Sequence, residues 1–174
     1  MITVPLKLSI GARRSRGDLV SKWQRFGNPY RLASYVLALF AIGHTAGALI
    51  STPRLGAAAD DVATTMKSVH FYAQGFLATW YGFYLGFGWF VSVFFIFSAV
   101  LCWYIGGLPA CQRADLAVIT WSLCLSYIAS IVITFNYLFP APILFSSIVS
   151  VLLTKGCVQD FRARHRSDIR KVHT

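Results

Sequence analysis

The sequence predicts an all-α integral membrane four-helix bundle with an amphipathic interfacial helix between spans 1 and 2. Three observations predict it. Of 174 residues, 56% are apolar and only 13% charged, whereas a soluble domain carries about 25% charged residues. The charged residues avoid three blocks, 32–53, 68–112 and 116–154, and each exceeds the ~20 residues a helix needs to cross ~30 Å of hydrocarbon. Lys and Arg gather instead at the two ends of the chain, seven of them through Arg31 and five after residue 161.

The first charge-free block holds one span, 30–50. In the third, "NYLFPAP" (136–142) sets two prolines between apolar runs, a turn signal that separates spans at 115–135 and 143–158. The middle block has 45 uncharged residues and by length alone could hold one span with an interfacial lead-in, or two short spans broken near Gly86 and Gly88. Charge asymmetry decides between them, because Lys and Arg beside span ends stay cytoplasmic. Two basic ends on one side require an even number of spans. The expectation is therefore four spans, with the second at 76–104 and both termini cytoplasmic. The chain divides into a basic N-terminal segment (1–29), the four-span bundle (30–158) and a basic C-terminal tail (159–174).

Between the first two spans, "DDVATTMKSVHFYAQGF" (60–76) puts Val62, Met66, Val69, Ala73 and Phe76 at helical spacing. It reads as an amphipathic helix lying on the membrane and covering the mouth of the bundle. Small residues predict how the spans meet. Gly75, Thr79, Gly82 and Gly86 fall on one helical stripe, Gly43 and Gly47 on another, and Ser122, Ser126, Ser130 and Thr134 on a third. Ser146, Ser150 and Thr154 form a fourth. Such stripes allow close helix approach in lipid and would also serve a helix–helix oligomer.

The net charge of +10 comes from the tails beside the spans, where it orients the protein and attracts anionic lipid. A nucleic-acid partner would need the cations on a folded face with aromatic platforms, so membrane lipids are the expected partners and nucleic acid is not. The four cysteines, Cys102, Cys111, Cys124 and Cys157, show no paired spacing, and no disulfide framework is expected. There is no CxxC pair and no metal-ligand run. Neither a metal nor a cofactor is predicted.

Polar groups converge on the outer leaflet when the spans are laid out at 1.5 Å per residue. His44 and Thr45 lie near the end of the first span, Trp80, Tyr81 and Tyr84 near the start of the second, and Thr134, Asn136 and Tyr137 at the end of the third. Asp60, Asp61 and His70 lie in the segment above. Each has an ordinary structural explanation: the Asp pair caps a helix start, His70 is an interfacial ring, and the hydroxyls bond neighbouring spans. His44 stands apart, because an ionisable residue inside a membrane is costly and usually functional.

The motifs "FAIGHTAG" (40–47), "MKSVHF" (66–71), "FYLGFGWFVSV" (83–93) and "YLFPAPILFS" (137–146) resemble, in order, those of a widespread, mostly bacterial family of small four-span integral membrane proteins. The resemblance covers about residues 30–153. It implies the four-helix membrane architecture and no particular activity. The family pattern has an acidic residue just before the aromatic pair Phe83 and Tyr84, where this chain has Gly82.

Two functions follow from the residues. One is an intramembrane acid–base enzyme, a hydrolase or an isomerase/cyclase, acting on a lipophilic small molecule such as an epoxide, isoprenoid or polyketide. Tyr81 or Tyr84 would supply the acid and Asp60, Asp61, His70 or His44 the base, with Trp80, Thr45, Thr134, Asn136 and Tyr137 lining the substrate site. The other is a non-catalytic lipid-binding or accessory membrane subunit whose stripes only pack. A transporter is disfavoured by the scarcity of acidic residues in the spans and the absence of internal repeats.

Overall fold

The computed structural model describes residues 27–50 and 56–172; most of the basic N-terminal segment, residues 51–55 and the last two residues lie outside the described part. Among the described residues, four helices are long and apolar enough to cross a membrane: Pro29–Ile50, Trp80–Gly107, Ala117–Tyr137 and Pro140–Arg166. The protein is a multi-pass, all-α membrane bundle.

Helix α1 (Pro29–His44) starts where Asn28 accepts the Tyr30 N–H on its side-chain oxygen and Pro29 takes the first turn. Proline suits that position because its missing N–H would be unpaired there anyway. Asn28 Nδ2 also donates to the Gly106 carbonyl, at 3.3 Å, which ties the start of α1 to the end of the next span. Beyond His44 the chain widens into a π-helical turn, Thr45–Ile50.

Helix α2 (Ala57–Ser68) is the interfacial helix, and it ends earlier than the apolar spacing over 60–76 predicts. Residues 70–79 form a hairpin instead, with β1 (His70–Ala73) antiparallel to β2 (Phe76–Thr79) and Ala73 paired with Phe76. The two-residue turn has φ of 50° at Gln74 and 88° at Gly75, the left-handed pair that a tight hairpin needs and that glycine adopts without strain. Gly75 and Thr79 therefore do not belong to a helical stripe.

Helix α3 (Trp80–Gly107) begins at Thr79, whose side chain accepts from the Gly82 N–H. A short helix α4 (Ala110–Asp115) leads into α5 (Ala117–Tyr137). After the prolines, α6 runs unbroken from Pro140 to Val172. At 1.5 Å per residue it is about 50 Å long, more than the hydrocarbon requires. What the sequence presents as a tail from residue 159 is the continuation of this helix.

α1 is central, packing along α3 on one side and α6 on another, while α5 lies against α6. α3 and α5 meet where Phe94 stacks on Tyr127 at 5.8 Å. The chain thus crosses four times and reverses direction three times, and Pro29 and Arg166 lie at the same end, called here the basic end. The opposite, loop end carries α2 and the hairpin.

The helices approach at glycines other than those the stripes predict. A Cβ on Gly156 would sit 2.6 Å from Cζ of Tyr30, one on Gly106 would sit 2.8 Å from Arg31 Cγ, and one on Gly88 would collide with Leu49. Gly43, Gly47 and Gly86 face open space, and Gly82 meets only its own cap, Thr79. Nor is the serine stripe of α5 an internal seam. Ser122 and Ser126 are exposed, and Ser126 and Ser130 donate back to the carbonyls four residues earlier. Inward positions on α5 are Thr120, Leu123, Cys124, Tyr127 and Thr134. On α6, Ser146 and Ser150 are buried, as their stripe predicts.

Candidate functional site

His44 is the last residue of α1, at the point where α-helical bonding gives way to the π turn. Two glycines, Gly43 and Gly47, flank this junction and weaken the regular helix there. Single π turns inside helices recur at functional sites. His44 and Thr45 both reach the hydroxyl of Ser92 on α3: His44 Nδ1 at 3.0 Å and Thr45 Oγ1 at 2.9 Å. Ser92 is 2% exposed, whereas His44 and Thr45 are half-buried.

A hydroxyl has one proton to give and two lone pairs, so Ser92 donates to at most one of the two partners and accepts from the other or from both. Beneath lies an aromatic floor. The His44 ring meets Phe95 edge-on at 5.9 Å, Phe95 stacks on Phe40 at 4.4 Å, and Phe40 on Phe145 at 4.6 Å.

Beside this triad an open groove of about 590 Å³ runs between α1 and α3. Its bed is made by Ala38, Ala41, Ala46 and Ala99, and Thr45 is one of its two hydroxyl-bearing residues. It extends from Ser34 on α1 to Ile50 at the end of the π turn, about 24 Å at helical rise. Small residues flanked by Ile42, Ile96 and Trp103 leave a furrow that neighbouring side chains do not fill. His44 itself, Tyr81 and Tyr84 do not line it.

The remaining predicted residues do not converge on His44. Asp60 and Asp61 are exposed near the start of α2, and their backbone carbonyls accept from Thr64 and Thr65. His70 is exposed on β1, its Nδ1 2.8 Å from the Ser68 carbonyl. Tyr81 stacks loosely with Tyr84 at 6.4 Å and carries the Lys67 ammonium over its face at 4.7 Å. Trp80 packs on Phe71 at 4.6 Å. Thr134 and Asn136 bond to carbonyls of their own helix, and Tyr137 is 82% exposed. For the segment above the bundle the physical reason is the hairpin. It occupies residues that a longer interfacial helix would carry over the mouth of the bundle.

A second polar cluster, at the basic end, lies outside all those expectations. Asp160 is 4% exposed; its Oδ1 accepts from Arg113 Nε and its Oδ2 from the Tyr30 hydroxyl, both at 2.9 Å. Arg113 Nη1 donates to the Leu108 carbonyl at 2.7 Å. A signal for it exists in the sequence. The buried positions 146, 149, 150, 153 and 157 of α6 continue at helical spacing to Asp160, so the inward stripe does not stop where the apolar run stops. Among the described residues, no three His, Cys or Asp side chains gather in a metal-binding arrangement.

No family model matches the chain, and comparison with curated proteins and with solved structures finds no similar protein.

Proposed function

We propose that the bundle is a lipid-binding membrane protein that holds a long apolar chain, acyl or isoprenoid, in the groove between α1 and α3. The observation that carries this reading is the groove's size and chemistry: about 590 Å³, reaching from Ser34 to Ile50, walled by apolar side chains, with the Thr45 hydroxyl on its wall hydrogen-bonded to Ser92. Ligand sites are mostly apolar with a few placed polar groups, and Thr45 supplies one for a hydroxyl or carbonyl at the head of the chain. Both basic ends face the cytoplasm, where Lys and Arg beside spans are retained.

A photoreactive, click-detectable fatty acid added to the full chain in nanodiscs tests the groove. Ala46→Trp, at an exposed groove position, should remove most of the label, while Val132→Trp on the exposed face of α5 should leave it. Equal labelling of the two variants would sink the proposal. Orientation has a built-in probe, because Cys111 is an exposed free thiol at the basic end. An impermeant maleimide should label Thr64→Cys on intact cells and reach Cys111 only after lysis; labelling of Cys111 from outside inverts the topology.

One observation favours the acid–base enzyme as a second reading. His44 Nδ1 lies within hydrogen-bond distance of the Ser92 hydroxyl, the pairing of a base with a nucleophile or proton donor. Hydrolysis or isomerisation of a lipophilic substrate would then require that substrate to reach Ser92 from the groove through Thr45.

A further inference from the structure

At the basic end the half-buried Arg31 lays its side chain across the last turn of α3, where two glycines make room for it. A Cβ on Gly106 would sit 2.8 Å from Arg31 Cγ, and one on Gly107 would sit 3.0 Å from Arg31 Nη2. The guanidinium rests 3.7 Å from the centre of the Trp103 ring. Tyr35, one turn along α1, meets the same ring edge-on at 5.6 Å. Among the described residues, nothing forms a hydrogen bond or an ion pair with this guanidinium. We propose that Arg31, stacked on Trp103, binds the phosphate of an anionic phospholipid.

Shape is the first support. Stacking uses the face of a guanidinium and leaves its N–H edge, a planar fork that matches two phosphate oxygens. The ring and the two glycines already fix the fork, so little side-chain freedom is lost when an anion arrives. Arg113, at the same end, is the contrast: its Nε is spent on Asp160 and its Nη1 on the Leu108 carbonyl.

Depth is the second. Arg31 is the last charged residue before the uncharged block 32–53, and Trp103 stands near the end of the block 68–112. Hydrocarbon gives way to headgroups at such a boundary, and tryptophan and tyrosine rings gather there. Trp103 and Tyr35 are both exposed, and the Tyr35 hydroxyl can donate to an ester carbonyl below the phosphate.

Charge is the third. Of the six acidic residues in the chain, Asp60 and Asp61 belong to the loop end, and Asp160 is taken by Arg113 and Tyr30. Asp115 is exposed on α4 and makes no ion pair with Arg31. Asp18 and the Asp168 side chain lie outside the described part, so the experiment addresses them directly. The site stands whether or not the apolar groove is filled. Arg31 does not line that groove but Trp103 does, so the decisive variants are at Arg31.

The full chain, purified in a detergent with an uncharged headgroup, would be titrated with short-chain phosphatidylglycerol, with phosphatidylcholine and with inorganic phosphate, and bound molecules counted by native mass spectrometry. Phosphatidylglycerol should be retained in preference to phosphatidylcholine. Arg31→Gln should weaken it about fivefold, the effect of one basic residue near an anionic lipid. Arg31→Lys should weaken it nearly as much, because an ammonium keeps the charge but not the stacked fork. Arg162→Gln, at an exposed arginine of α6, should leave it unchanged. Trp103→Leu removes the platform without altering charge; it should also weaken retention, and it covers the case in which the Arg31 variants fail to fold. Lipid retention by Arg31→Lys equal to the parent, or equal losses at Arg31 and Arg162, would reduce the effect to diffuse charge and overturn the site. So would a gain on Asp18→Asn or Asp168→Asn that disappears in the Arg31→Gln background, since the fork would then be held by the chain's own carboxylate. Binding of inorganic phosphate in place of the lipid, or no preference over phosphatidylcholine, would overturn the lipid assignment.

Discussion

The two ends of the bundle are built differently. At the basic end, side chains bond across helices. Tyr30, 1% exposed, lies against Gly156 and donates to Asp160; Arg113 completes the pair; and the Arg31 guanidinium sits 3.7 Å over the Trp103 ring. At the loop end, polar side chains mostly bond within their own segment, as Thr64, Thr65, Ser68, His70 and Asn136 do. There Phe76, Trp80, Phe83, Tyr84, Phe87 and Phe90 are exposed. The triad of His44, Thr45 and Ser92 is the main cross-helix polar contact towards that end. One end is a clamp and the other is bonded mostly within its own segments, and the groove runs from Ser34 and Trp103 beside the clamp to Ile50 towards the loop end. Stability is not uniform in folded proteins, and binding regions are drawn from the less stable parts.

The largest effect should come from opening the clamp. Asp160→Leu leaves the Arg113 charge and the Tyr30 hydroxyl without their partner, and breaking a buried pair from one side costs about 3–5 kcal/mol. Denaturant unfolding of the purified protein in detergent should show a loss of that order. Replacing both partners with apolar residues, Arg113→Met with Asp160→Leu, should recover much of it, since a buried pair often breaks even against a hydrophobic substitute. If the single variant unfolds like the parent, the basic end is not a clamp and the comparison fails.

Next in size is the contrast between glycines. Gly156→Ala pushes a methyl against the Tyr30 ring, with three ring carbons at 2.6 to 3.0 Å, and the ring is held by its bond to Asp160. Overpacking of this kind costs about 1–3 kcal/mol. Gly86→Ala meets nothing within 4 Å and should be silent or slightly stabilising in the monomer, because alanine is the better helix former. Thermal unfolding of the two variants side by side checks this. A large loss at Gly86 would instead show that the Gly82 and Gly86 face packs against a second copy of the chain.

These contrasts show which parts of the structure are legible in the sequence. The four spans are, because a charge-free run of such length has few alternatives once every backbone polar group must be paired within lipid. The even count is legible too, because Lys and Arg gather at both ends of the chain and such residues beside spans stay on one side. The hairpin at 70–79 is not, because Val69, Ala73 and Phe76 fit helical spacing. Only the left-handed turn at Gln74 and Gly75 separates the two. Packing glycines cannot be told from idle ones by spacing alone, for the GxxxG pair at Gly82 and Gly86 has the pattern while Gly106 and Gly156 have the partners. Of the candidate site, His44 and Thr45 do share a polar contact, but their partner Ser92 is a small hydroxyl among many. Asp160 is hidden by its surroundings: basic residues follow it closely, so it reads as part of a solvated tail although it continues the buried stripe of α6.

The smallest effect belongs to His44, and it bears most directly on the loop end. The His44 and Ser92 side chains share one hydrogen bond at 3.0 Å, and interhelical bonds of this kind in membranes are worth about 0.6 to 2 kcal/mol. Ser92 keeps its bond to Thr45 when His44 is replaced, so His44→Leu should fall at the lower end of that range. His44→Asn retains a side chain that can bond Ser92 and should cost less still. A double-mutant cycle of His44→Leu with Ser92→Ala isolates the pair, provided neither change creates new contacts. Groove labelling by the photoreactive chain should survive all of these variants, since His44 does not line the groove. Thr45→Val, which removes the wall hydroxyl at similar volume, should weaken labelling by a chain with a hydroxyl or carboxyl head and leave that by a plain hydrocarbon unchanged. If a lipophilic substrate is found to be turned over, His44→Asn separates the two functional readings: an imidazole that carries a proton cannot be replaced by an amide, so turnover would vanish while binding and folding remain. Turnover that persists in a folded His44→Asn protein would remove His44 from any mechanism and leave the triad as a packing contact beside a binding groove.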